Sequence, residues 1–469
     1  MKPLGISLRL QLRLGPRLRR LGAVAVGLVA ASSSVRADPL GNPLPPFPSW
    51  MDPTDAVSPI ALVQGGGIKI GEGTVLQPQV GIQTGMISNV FYQNTNQVTA
   101  GLLRLLVEVG TGSLPIQRLN PAAADQGMLA AGPAPATTPI QVEGGDFQYS
   151  ANVYASWDQY LSTNDNVTAQ GGLGGGLVLR GLVNPQRPLQ FAFQDVYSRL
   201  IRATNFESQA DTNRDINDLG LRLNIVPPGR SLSGYLYYDN TIDVFESSTQ
   251  QFANRLLNTL GAHLDWQWLP LTVVFADVSG GYNTGIGSSD KVNSTPLATT
   301  VGIGTALTLN TTLNAQVGYA NGFYASGPSY SSVTGSLLFG YRYSPLGRVT
   351  ALYSYNQSDS INANFYSEHL LQLTVEQYFA PFVVFARPEV HFRDYEGTLV
   401  MDLNGGTTRR DTILGLTAGL RYNFRDWLAG TLDYTLSDVQ TDFRYMADRF
   451  LVNPSYVRHE LMLGVRAAY

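Results

Sequence analysis

The chain has 469 residues, 31 basic and 35 acidic, a formal net charge of −4, 44% hydrophobic and 10% aromatic residues, and no cysteine. The lack of cysteine excludes disulfides, thiol nucleophiles and thiolate metal sites. The acidic balance argues against a nucleic-acid partner, which would require a basic face to meet phosphates.

At the start of the chain, Lys2, Arg9, Arg13, Arg17, Arg19 and Arg20 precede an apolar run from Leu21 to Ala31. Val35-Arg36-Ala37 then offers small residues at the spacing a signal peptidase accepts, so residues 1–37 are expected to be a secretory signal cleaved before Asp38. The apolar run is too short to span a bilayer as a helix, and Arg19-Arg20 lacks the surroundings of a twin-arginine signal, which implies export in the unfolded state. Cleavage would remove seven basic residues and no acid, leaving 24 against 35 and a net charge of −11. Residues 38–65, with Pro43, Pro45, Pro46, Pro48 and Pro53, are expected to form a periplasmic lead-in too short for a plug domain.

The following stretch, residues 66–469, is expected to be one domain. No segment in it is apolar for the ~18 residues that a transmembrane helix requires. From about Thr74 the chain instead breaks into segments of roughly ten alternating residues separated by Gly, Pro, Asn, Asp and Ser. Leu219, Leu221, Leu223 and Ile225 alternate with Gly220, Arg222 and Asn224; Leu313, Ala315, Val317 and Tyr319 alternate with Asn314, Gln316 and Gly318. Val333, Gly335, Leu337, Phe339, Tyr341 and Tyr343 stand opposite Thr334, Ser336, Leu338, Gly340 and Arg342. The pattern predicts an all-β fold, a transmembrane antiparallel up-and-down barrel of about eighteen strands, with sixteen as the alternative count.

Short connections alternate with long ones. Trp268-Leu269-Pro270, Asn310-Thr311, Ser344-Pro345-Leu346-Gly347 and Phe379-Ala380-Pro381 belong to the short set. Stretches near 200–216, 245–253, 284–297, 324–331, 357–364, 396–410 and 438–454 are longer and polar, the asymmetry of periplasmic turns and extracellular loops. Gly110 to Gly145 breaks this rule, being long on the side where a short turn is expected. Trp157, Tyr238, Trp266, Trp268, Tyr343, Tyr355, Tyr378, Tyr422 and Trp427 suit interfacial aromatic girdles.

The closing segment Arg458–Tyr469 alternates strictly and ends on an aromatic. His459, Leu461, Leu463, Val465, Ala467 and Tyr469 would face lipid, and Arg458, Glu460, Met462, Gly464 and Arg466 the interior. Such a strand is expected to engage the barrel-assembly machinery of a bacterial outer membrane.

Applied along the chain, the same alternation gives the candidate pore-lining set: Arg104, Glu108, Arg222, Asp265, Arg342, Glu376, Arg387, Glu389, His391, Arg393, Arg421, Asp433, Glu460 and Arg466. Arg387 to Arg393 is the densest run and could act as a selectivity ladder, or these charges could pair across strands and stiffen the wall. Pro388 suggests a bulge there. Tyr154, Tyr235 and Tyr237 could stack on sugar rings or simply pack in the lumen.

Motifs for catalysis are absent. The four histidines, His263, His369, His391 and His459, show no paired metal-ligand spacing, and no G-x-S-x-G elbow occurs. The glycines at 171–176 are not followed by a phosphate-loop Gly-Lys and would thin a barrel wall instead. Asp211-Thr212-Asn213-Arg214-Asp215 and Asp402-Leu403-Asn404-Gly405 each fall short of a calcium loop. No cofactor and no enzymatic activity are expected.

At Arg409-Arg410-Asp411 through Gly415-Leu416-Thr417-Ala418-Gly419-Leu420-Arg421-Tyr422-Asn423-Phe424, then Trp427-Leu428 and Leu432-Asp433-Tyr434, the chain resembles the β-barrel porin type 2 group of outer-membrane proteins. The resemblance covers residues 60–469 and implies a porin-like channel. It also implies exopolysaccharide export as a substrate class, for which a separate periplasmic partner would be needed. The leading expectation is a channel passing hydrophilic solutes or a secreted polysaccharide. The alternatives are a non-conducting structural or adhesive barrel and a barrel-embedded lipid hydrolase.

Overall fold

The computed structural model describes residues 67–70, 74–113, 146–185, 187–201, 206–207, 213–229, 231–308, 310–344, 346–379, 381–447 and 450–469. The expected signal and lead-in, residues 1–65, and the segment 114–145 lie outside the described residues.

Among the described residues eighteen strands build one wall, in the order β1 (Thr74–Ile87), β2 (Ala100–Ser113), β3 (Phe147–Leu161), β4 (Gly172–Val183), β5 (Leu189–Leu200) and β6 (Arg214–Ile225). Next come β7 (Leu232–Phe245), β8 (Arg255–Leu269), β9 (Thr272–Gly285), β10 (Leu297–Thr308), β11 (Thr311–Asn321) and β12 (Ser331–Ser344). The circuit ends with β13 (Gly347–Asp359), β14 (Phe365–Phe379), β15 (Phe382–Glu396), β16 (Thr408–Arg425), β17 (Leu428–Thr441) and β18 (Tyr456–Ala468). Each strand pairs antiparallel with its successor, and β18 pairs back with β1 from Gln79 opposite Ala468 to Ile87 opposite Glu460. The wall is therefore closed, and among the described residues no long strand is left with a free hydrogen-bonding edge. A short strand, Ile68–Ile70, folds onto the start of β1.

The strands are 11 to 18 residues long, enough to cross a bilayer when tilted. Their alternation sorts the side chains by solvent. On β18, Leu461, Leu463 and Val465 are 44%, 60% and 46% exposed, whereas Met462 and Arg466 between them are 2% and 1% exposed. An apolar outside around a charged inside suits a wall with lipid beyond it. Trp266, Trp268, Tyr343, Phe379, Phe424 and Trp427 lie exposed at the short-turn end, and Trp157, Tyr282 and Tyr319 nearer the other, as aromatic girdles do.

Short and long connections alternate as expected, with two refinements. Gly110 to Ser113 belong to β2, and β2 pairs directly with β3 from Gly101 opposite Leu161 to Gly112 opposite Ser150. The flanks of the long connection, Ser113 and Phe147, thus stand at the short-turn end on strands that pair directly with each other. Pro388 makes no bulge: the β14–β15 register is the same on both sides of it, Gln372 opposite Glu389 and Val375 opposite Ala386, and only the pairing between these is interrupted. A residue without an N–H removes a rung without shifting the ladder.

Candidate channel interior

The fourteen candidate residues sit at positions that alternate with the apolar exterior, and they divide by burial. Glu108, Asp265, Glu376, Arg387, His391, Arg393 and Arg466 are buried in the inner layer of the wall. Arg104, Arg222, Glu389, Arg421, Asp433 and Glu460 are half-buried, and Arg342, near the short-turn end of β12, is exposed. Of the dense run on β15, water thus reaches Glu389, while Arg387, His391 and Arg393 are buried.

Ion pairs, most of them between neighbouring strands, hold several of the buried charges and some of the half-buried ones. Arg104 on β2 donates from Nε to Asp158 Oδ1 on β3 at 2.7 Å and lies 3.7 Å from Glu460 on β18. Arg393 donates from Nε to Glu368 Oε1 at 2.5 Å, and the same carboxylate oxygen is 2.9 Å from His391 Nδ1. Arg387 stands 3.7 Å from Glu389, Arg466 stands 3.8 Å from Asp433, and Arg348 pairs with Glu376. Charges held in water-poor surroundings need such partners. The arrangement supports the wall-stiffening alternative for the β15 run.

The bore is not empty at its long-loop end. Phe206 and Glu207, in the connection between β5 and β6, reach the opposite side of the ring. The Phe206 ring lies 5.4 Å from that of His391 on β15, Arg393 stands 5.7 Å over it, and it packs on Tyr92, Ile413, Val439 and Tyr456. Glu207 is 4% exposed. Its Oε1 accepts from Ser360 Oγ at 2.7 Å, its Oε2 from the Ile361 amide at 2.9 Å, and its carbonyl oxygen from Asn362 Nδ2 at 2.8 Å.

The β13–β14 turn that holds Glu207 is itself clamped. Lys291 Nζ, from the β9–β10 connection, donates to the carbonyl oxygens of Ser360 at 2.5 Å and Ala363 at 2.8 Å and lies 3.4 Å from Asp359. Burial lowers the Lys291 ammonium below the ordinary lysine value, partly offset by Asp359. Arg255 on β8 pairs with Asp359 and, at 3.1 Å, with Asp243 on β7. Ile361 packs with Phe245 and Ala253, and Tyr324 Oη donates to the Asn364 carbonyl oxygen at 2.9 Å. Four loops and the crossing pair thereby form one connected layer over the bore. The sequence marked these stretches only as polar loops. Its one local hint was an aromatic and an acid, Phe206-Glu207, side by side in otherwise small and polar surroundings.

Lower in the barrel, aromatic rings lie flat where glycine stands opposite. Tyr154 covers Gly176, Tyr237 covers Gly261, Phe275 covers Gly302 and Phe385 covers Gly419. Without a β-carbon on the neighbouring strand, each ring can rest on the wall instead of standing in the lumen. The 171–176 run contributes to this device through Gly176. Tyr235 stacks on His263 at 4.7 Å, Arg222 stands 5.0 Å over Tyr235, and Tyr237 Oη donates to Asp277 Oδ1 at 3.0 Å. These tyrosines pack within the wall's inner layer.

The histidines have partners of other kinds than a nucleophile. His263 lies between Asp265 and Asp277, each at 3.2 Å; His369 meets Tyr353 Oη at 3.0 Å and stacks on Tyr355; His459 meets Tyr434 Oη at 2.9 Å. In the 402–405 turn, Asp402 Oδ1 accepts from the amides of Asn404 at 2.8 Å and Gly406 at 2.7 Å, which holds its carboxyl below the usual aspartate range. That turn uses its acid to close on itself. Among the described residues no group of three or more acidic or histidine side chains could hold a metal ion. Asp211 and Thr212 of the other acidic stretch lie outside the described residues.

No protein-family model matches the chain, and no curated protein matches it. Among solved structures it is similar to OccK2 (OpdF) of Pseudomonas aeruginosa, with 11% identity over 84% of this chain and 98% of that one and a TM-score of 0.42. OccAB3 of Acinetobacter baumannii gives 11% identity, coverage of 84% and 99%, and a TM-score of 0.43. The FrpB iron transporter of Neisseria meningitidis gives 10%, coverage of 85% and 82%, and 0.44. The architecture of this chain rests on its own strand ladder.

Proposed function

We propose that the chain is a non-enzymatic channel of a bacterial outer membrane, passing hydrophilic solutes through a polar bore narrowed by Phe206 and Glu207. One observation carries this reading: a closed ring of eighteen strands with an apolar exterior and charged residues inside, several of them half-exposed to the lumen. A wall of this size encloses more than its own side chains fill. Export to that membrane would use residues 1–37 as the signal and the closing strand β18 as the segment met by the barrel-assembly machinery, with residues 38–65 left on the periplasmic side. The half-exposed Arg104, Arg222, Glu389, Arg421, Asp433 and Glu460, with Arg342 at the periplasmic mouth, would line the water path. The buried members of the set would hold the wall in shape.

Of the two cargo classes, the crossing layer favours small solutes over an exopolysaccharide, which must thread as a continuous chain. Export of a polymer would require the layer to open and a periplasmic partner to feed it. Liposome swelling with sugars of increasing size separates these. Small sugars should enter and large oligosaccharides should not. Exclusion of every sugar from liposomes bearing verified folded barrel would favour a structural or adhesive wall, and free entry of long oligosaccharides would favour polymer export.

A further inference from the structure

The exterior of the barrel is not apolar everywhere. On β5, Asp195 has the same outward parity as Leu189 and Phe191, which are 53% and 41% exposed. Its Oδ1 accepts from Nδ2 of Asn217 on β6 at 2.8 Å, and Asn217 alternates with the outward Ile225, Leu223, Leu221 and Leu219. Next to this pair, Tyr197 Oη donates to Asp215 Oδ1 at 2.7 Å, and further round the wall the Asn240 amide and Tyr238 hydroxyl both donate to Asn258 Oδ1, at 2.9 and 2.8 Å. Asp195, Leu219, Asn240 and Asn258 face one another in succession across β5, β6, β7 and β8, so the polar groups form one oblique strip. At the height of Asp195 on other strands the outward positions include the apolar Leu105, Val107, Leu337, Leu371 and Leu463.

Depth decides what can cover the strip. Asp195 is six residues beyond Leu189, where β5 begins. At ~2.5 Å of height per residue of a tilted strand this is ~15 Å above the short-turn end, and its partner Asn217, eight residues from the end of β6 at Ile225, stands at ~20 Å, both inside an apolar band ~25 Å tall, while Asp215 and Asn258 reach the upper edge of that band. Lipid headgroups do not reach the level of Asp195, and acyl chains offer no hydrogen bonds to a carboxylate or an amide. A protein wall can supply them. The strip carries donors, the amides of Asn217 and Asn240, and acceptors, the carboxylates of Asp195 and Asp215, and so can complement itself across an axis normal to the membrane.

We propose that this face of β5–β8 is an interface with a second copy of the chain, the inserted neighbour that shares its depth and orientation. The proposal rests on the membrane-barrel reading given above, and the test separates the two. Because the chain has no cysteine, Leu219→Cys at the centre of the strip and Leu371→Cys on β14 each give a single reporter thiol. Oxidation in isolated outer membranes with copper phenanthroline should cross-link the Leu219→Cys chain to itself at least tenfold more than the Leu371→Cys chain. The wild-type chain extracted in mild detergent should have a native mass that is a multiple of one chain. The double variant Asp195→Leu, Asn217→Leu should shift it to the mass of one chain while the barrel stays folded. A wild-type monomer, equal cross-linking at both positions, or a Leu219→Cys adduct containing a different protein would overturn the proposal. Failure of the chain to fractionate with outer membranes would instead overturn the membrane reading.

Discussion

Glycine at an inward position sets how much of the lumen a neighbouring aromatic occupies. A β-carbon on Gly261 would collide with the Tyr237 ring, whereas one on the outward Gly280 would meet open space. Gly261→Ala should therefore destabilise the barrel by about 1–3 kcal/mol through overpacking, and Gly280→Ala should be near neutral; urea unfolding midpoints would show the contrast. Charged residues divide in the same practical way. Removing the buried Arg393 as Arg393→Met takes one partner from Glu368, leaving His391, and should cost up to about 3 kcal/mol. The half-exposed Arg421 stands where water reaches it, and Arg421→Glu should move the reversal potential in asymmetric salt towards cation preference. A larger selectivity change from neutralising the buried residue than from reversing the half-exposed one would invert this division.

Strands and loops differed in how much of them could be read from the chain. A strand with lipid on one side and water on the other writes a period of two into a dozen residues, so β6, β11, β12 and β18 were legible with their faces correctly assigned. The parity of the connections followed from the strands. The crossing layer was not legible because its contacts are remote in sequence: Glu207 meets Ser360 across 153 positions and Lys291 meets Ala363 across 72. No local period encodes such a meeting. It also left the dense Arg387–Arg393 run open to two readings, since Glu368, its principal partner, lies on the neighbouring strand. Lys291→Met should leave the carbonyl oxygens of Ser360 and Ala363 without their ammonium donor, a local loss of about 1–3 kcal/mol. Amide exchange in 360–364 should then rise about tenfold or more while the barrel's melting temperature holds. A lowered melting temperature with unchanged local exchange would mean that the clamp belongs to the wall and not to the layer.

For the molecule as a whole, closure of the wall and closure of the bore are separate devices. The first ends at the C-terminus, where Tyr469 N donates to the Pro78 carbonyl oxygen at 3.0 Å and its own carbonyl oxygen accepts from the Gly67 amide at 2.9 Å. The second depends on Glu207, whose carboxylate makes two of the three hydrogen bonds between the β5–β6 connection and the turn on the far side. The wall can therefore stand when those two bonds are cut. Single-channel conductance of the refolded chain in a planar bilayer, measured for wild type and for Glu207→Ala, tests the account most directly. The account predicts discrete, weakly selective steps for the wild type and larger or noisier steps for Glu207→Ala at unchanged barrel stability. Silence from both folded proteins, or identical conductance in the two, would contradict it.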